Sequence, residues 1–132
     1  MPTVNYLAIV AAALSSFVVG GLWYSPLLFA RPWLDVAGLR PNDLARQNKA
    51  IVFGGAFLLA LLAAFVFAMF LGPHPAFGFA TGAGFAAGFA WVAGSFGINY
   101  LFEGKSPTLW AINGGYHIVQ YTVIGAVLGL WH

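Results

Sequence analysis

Asn113, Tyr116, His117 and Gln120 have the widest chemical range of any side chains in the last apolar stretch of the chain. At about 100° per residue, Asn113, His117, Gln120 and Ile124 fall on one helical stripe. A histidine there can exchange a proton near neutrality, and flanking amides can orient it or a small ligand. A second polar line, Trp91, Ser95, Asn99 and Glu103, repeats at a spacing of four on the preceding stretch, with Tyr100 beside it. Neither line completes a catalytic set. Glu103 could serve as acid or base with His117, but it belongs to a turn beside Lys105, where a solvated carboxylate is expected. Asp35 and Asp43 both lie in the first loop, far from any Ser-His pair in the apolar stretches. His74 and His132 share one side of the predicted bundle, yet they lack the further ligands that a metal needs. Without cysteine, thiolate zinc sites, iron–sulfur clusters and thiol nucleophiles are excluded. Gly82-x-Gly84 follows no strand, so a dinucleotide-binding turn does not apply. The residues therefore predict no enzyme, no metal and no cofactor.

The elements that must position these groups follow from composition. The 132 residues are 61% hydrophobic and 6% charged, with a mean hydropathy of +0.88. A soluble domain is about a quarter charged, so this chain lacks the charge to cover a globular surface. The length suits one domain, residues 1–132. No basic cluster has an aqueous face to offer, so no nucleic acid is expected as partner. The expected solvent is a lipid bilayer.

Four apolar spans are predicted, at about 4–25, 50–71, 76–101 and 108–130, since about 20 residues cross a bilayer. The first lacks a basic n-region, because Met1-Pro2-Thr3-Val4-Asn5 carries no Lys or Arg; it is expected to be retained rather than cleaved. It exits through Trp23-Tyr24-Ser25-Pro26, where either a kink or a stop fits. Ala30 to Lys49 is a polar connection with a short interfacial helix expected from Pro32 to Val36. Asn42 or Asp43 is the expected N-cap of a helix that runs on into the second span. Gly72-Pro73-His74-Pro75 ends that span. The second span looks like a packing and lipid-facing helix. Ser106 or Thr108 can cap the fourth, and no tail domain is expected after Trp131-His132.

The third and fourth spans carry small-xxx-small pairs: Gly78 with Gly82, Gly84 with Gly88, and Gly125 with Gly129. Such pairs let helix backbones approach closely in lipid. All five Lys and Arg lie in the first and third connections: Arg31, Arg40, Arg46 and Lys49, then Lys105. The positive-inside rule then puts both termini on the non-cytoplasmic side. Trp23, Tyr24, Asn99, Tyr100 and Glu103 fall at the cytoplasmic ends of their spans. Asn113 and His117 lie about 7 to 14 Å into the fourth at 1.5 Å per residue. These residues, with Tyr116 and Gln120, are expected to converge on the cytoplasmic half, either as interhelical glue or as a small polar pocket.

Several of the same residues carry a resemblance. Asn5-Tyr6-Leu7-Ala8, Leu22-Trp23-Tyr24-Ser25-Pro26-Leu27-Leu28-Phe29, Ile98-Asn99-Tyr100-Leu101-Phe102-Glu103-Gly104 and Asn113-x-Gly-Tyr-His117 resemble the bacterial membrane-protein family catalogued as domain of unknown function 1761. The likeness spans nearly the whole chain. It implies an all-α, four-helix integral protein, placed here in a bacterial inner membrane, and it brings no activity. The expected function is a non-enzymatic membrane module, a homo-oligomer or an accessory subunit of a larger membrane complex. The alternative is a small-molecule or ion binder that uses a cytoplasm-facing pocket around His117.

Overall fold

The computed structural model describes residues 4–132; Met1, Pro2 and Thr3, part of the uncharged N-terminal stretch, lie outside the described residues. α1 (Tyr6–Trp23) is opened by Asn5, whose side chain accepts from the Ala8 N–H at 3.1 Å. The backbone then leaves helix geometry before Pro26, so this proline marks a stop, not a kink. α2 (Ala30–Ala37) covers the short helix expected from Pro32 to Val36, and Gly38 closes it at φ 70°. That left-handed conformation suits glycine.

The next start differs from expectation. Asn42 and Asp43 belong to a separate turn of helix, α3 (Pro41–Ala45), where the Asp43 carboxylate accepts from the Arg40 N–H. Asn48 instead opens α4 (Lys49–Leu71), accepting from the N–H groups of Ala50 and Ile51. Because α3 ends at Ala45, a second N-cap is needed. Gly72 ends α4 at φ 85°, ahead of Pro73 and Pro75.

α5 (Phe77–Ala86), a π-helical segment (Ala87–Ala93) and α6 (Gly94–Glu103) follow as one continuous helix, Phe77–Glu103. Gly104 turns the chain, and Ser106 opens α7 (Pro107–Leu130) by accepting from the Thr108 N–H at 3.0 Å. Among the described residues, three helices are long and apolar enough to cross a membrane: Tyr6–Trp23, Lys49–Leu71 and Phe77–Glu103. α7 is 24 residues long but holds Asn113, His117 and Gln120, and it is not one of the three.

α7 is the centre of the packing. It lies against α1 on one side and against α5 and the π-helical segment on the other, while α4 packs on α1. A cluster of Ala8, Ile9, Ala12, Ala64, Ala68, Ile124 and Leu128 joins α1, α4 and α7. Alanine dominates it. Lipid tails are as apolar as leucine, so close backbone contact through small residues is what holds such helices together. α4 buries the narrow line Ala60, Ala64 and Ala68 and packs half-buried Leu61, Phe65, Phe67 and Leu71 against the cluster, while Leu58, Leu59, Leu62 and Phe70 stay exposed.

The glycines divide into two sets. A Cβ on Gly84 would collide with the Tyr121 carbonyl, and one on Gly125 with the Ala80 carbonyl. A Cβ on Gly88 would stand 2.7 Å from the His117 carbonyl oxygen, and one on Gly129 2.9 Å from Phe77 Cα. These four positions lock Phe77–Glu103 onto α7 within one chain. Gly78 and Gly82 are exposed, and an added Cβ there meets nothing within 4 Å.

Candidate functional site: a polar lock between three helices

Asn113 is the hub. Its amide oxygen accepts from the Tyr24 hydroxyl at 2.6 Å, and its amide nitrogen donates to the Tyr100 hydroxyl at 2.9 Å. One side chain thus ties the exit of α1 and the body of α6 to α7. The two tyrosines suit the task, because a phenol can donate on one side and accept on the other.

Trp23 adds a second tie at the same level. Its indole N–H donates to the Ile112 carbonyl at 2.8 Å. Gly115 makes room for that ring, since a Cβ there would come within 3.0 Å of it. One turn further, the Tyr116 hydroxyl donates to the Ser16 carbonyl at 3.3 Å and stands over Gly20. Tyr24 and Tyr116 meet edge to face with centroids 5.6 Å apart, a favoured aromatic arrangement.

His117 bonds along its own helix rather than across. Its Nδ1 lies 2.7 Å from the Gln120 amide oxygen, a hydrogen bond made when the ring carries a proton on Nδ1. The imidazole stacks on Phe96 at 5.1 Å and 13°. Gln120 is 7% exposed and its oxygen is satisfied by this bond. Among the described residues, no buried side-chain nitrogen or oxygen lacks a partner.

Tyr24, Tyr100, Asn113, Trp23, Tyr116, His117 and Gln120 therefore come together. Asn99 and Glu103 do not, and both are exposed. Tyr100 turns inward, and its neighbour is rotated by about 100° to the outside. The spacing-four line from Trp91 holds as a stripe, but it faces outward along its whole length. Trp91 lies at the π-helical end of the line and is 75% exposed. Ser95 is exposed too, its hydroxyl donating back to the Trp91 carbonyl.

Trp110 is a member that residue chemistry alone passed over. Its indole donates to the Ala93 carbonyl at 2.8 Å, where π geometry gives way to α geometry. Gly97 and Gly114 leave space for the ring. Its place three residues before Asn113 and seven before His117, on their stripe, is the signal that points to it.

On the opposite end, the Nδ1 atoms of His74 and His132 are 3.3 Å apart. Among the described residues, no group of three or more His, Cys, Asp or Glu could hold a metal ion. The chemistry of the main cluster is that of a lock: Trp23, Tyr24, Trp110, Asn113 and Tyr116 each donate to an acceptor on a neighbouring helix.

No curated protein and no solved structure is a significant match to this chain. A family model does match, over residues 7–129, and takes in all the helices that build the lock. The chain belongs to the family described as protein of unknown function DUF1761.

Proposed function

We propose that the chain is a non-enzymatic membrane module, spanning a bacterial inner membrane four times with both termini outside the cytoplasm. It works by association, with copies of itself or within a larger membrane complex. The observation that carries this reading is the outward surface of the helix Phe77–Glu103. Gly78, Gly82, Ala86 and Ala90 follow one another at a spacing of four, and all are exposed. Ser95 and Asn99 are exposed nearer the Glu103 end. Polar groups on membrane helices ordinarily face a protein interior, and small residues mark places where another helix can approach. α4 exposes large apolar side chains suited to lipid, and the same helix Phe77–Glu103 exposes Phe79, Phe89 and Trp91 beside its small residues.

α7 serves as the fourth span in this reading. Asn113, His117 and Gln120 lower its apolarity, but Tyr24 and Tyr100 take up Asn113, and His117 and Gln120 satisfy each other. A helix shielded by its neighbours need not be apolar all round.

The chain has no cysteine, which makes cross-linking direct. A Gly82→Cys variant oxidised in native membranes should give a linked product, either a pair of chains or an adduct with a larger protein. Leu58→Cys, on the exposed face of α4, should give little. Linking at Leu58 with none at Gly82 would overturn the reading. Reporters joined after His132 should read as periplasmic and those inserted near Arg40 as cytoplasmic.

A further inference from the structure

A crevice of about 280 Å³ opens beside the turn that joins α6 to α7. Gly97, Leu101 and Pro107 give it apolar walls, and the face of Trp110 closes one side. The polar atoms around it are already engaged. The Trp110 indole donates to the Ala93 carbonyl, the Tyr100 hydroxyl accepts from Asn113, and the Ser106 hydroxyl accepts from the Thr108 N–H. The charged residue of the lining is Lys105, exposed at the turn. Glu103, two positions earlier, is not part of the lining.

An apolar slot with one cation at its edge is complementary to an amphiphile with one negative charge. Small-ligand pockets span roughly 300–1,000 Å³, so this one, at about 280 Å³, falls just below that range and suits part of a single hydrocarbon chain better than a broad ring system. Its position also fits. α6 ends at Glu103 and α7 begins at Pro107, so the slot runs from the helix ends, where headgroups lie, toward the apolar interior. Lysine stems lie along apolar surface while the ammonium reaches the headgroup layer. Basic residues beside such helix ends attract anionic lipid.

We propose that this crevice holds part of one acyl chain of an anionic phospholipid, with the lipid phosphate against Lys105. The proposal does not depend on self-association, only on residence in a membrane.

The test uses the full chain in neutral detergent, titrated with phosphatidylglycerol or phosphatidylcholine that carry the same brominated chains. Bromine quenches tryptophan on contact, and Trp110 lines the slot. In wild type, phosphatidylglycerol should reach half-quenching at a concentration about fivefold lower than phosphatidylcholine, the attraction of about one basic side chain for anionic lipid. Lys105→Gln, an exposed turn substitution that leaves the helices intact, should bring the two midpoints together. Trp110→Phe should remove the part of the quenching that distinguishes the two lipids, leaving the unselective quenching of exposed Trp91 and Trp131. Equal midpoints in wild type, an unchanged ratio in Lys105→Gln, or undiminished quenching in Trp110→Phe would each overturn the proposal. If Trp110→Phe does not fold, the Lys105→Gln comparison decides the matter alone.

Discussion

The helix Phe77–Glu103 has an inward face and an outward face, and they use similar residues to different ends. Inward, Gly84 and Gly88 bring the backbone against Tyr121 and His117 of α7. Outward, Gly78 and Gly82 meet nothing within 4 Å. The polar residues divide in the same way. Tyr100 turns in and accepts from Asn113, while Asn99, the next residue back, is exposed. A glycine pair or an amide on a membrane helix thus says that something packs closely there. Whether that something is the same chain depends on which face it occupies.

The largest effect that separates the two faces should come from glycine. Gly84→Leu would drive a side chain into the Tyr121 carbonyl. Overpacking costs about 1–3 kcal/mol where side chains can shift, and a backbone carbonyl cannot shift cheaply, so the expected loss is about 3 kcal/mol or more. The purified variant should melt far below wild type or fail to accumulate. Gly78→Leu should leave the melting temperature near wild type, because its Cβ enters open space. Equal losses in the two variants would abolish the distinction between the faces.

The polar pair gives the next contrast. Asn113→Leu removes two cross-helix hydrogen bonds. At about 1 kcal/mol each in a membrane, the expected cost is about 2 kcal/mol, read by thermal unfolding in detergent. Tyr24→Phe and Tyr100→Phe should each cost about half of that, and the double variant should cost no more than Asn113→Leu. Asn99→Leu should change fold stability by less than about 0.5 kcal/mol, as surface substitutions do. A cost at Asn99 as large as at Asn113 would mean that the outward amide is tied within the chain.

Much of this was legible in the residues. Long apolar runs broken by Pro26, Pro73, Pro75 and the Gly104 turn predict the long helices, and composition alone points to lipid. Trp23, Tyr24, Tyr100, Asn113 and Tyr116 were picked out by depth, which helix rise supplies directly. Depth is blind to azimuth, however, and so Asn99 was grouped with Tyr100 although the two point apart. The residues Ala87–Ala93 form a π-helical segment. Nothing in Ala-Gly-Phe-Ala-Trp-Val-Ala announces that geometry. The Asn48 cap was overlooked for a simpler reason: Asn42 and Asp43 are equally good caps, and α3 uses them first. The inward and outward glycines are identical in sequence, and only the position of α7 tells them apart.

The smallest expected effect on the fold, and the largest on assembly, belongs to the outward face. The mass of the complex extracted in native lipid tests this most directly. Wild type should run as more than one chain or within a larger assembly. Gly78→Leu combined with Asn99→Leu should melt like wild type but run as a single chain. A wild type that is already a single chain in native lipid, or a double variant whose assembly is unchanged, would contradict the account.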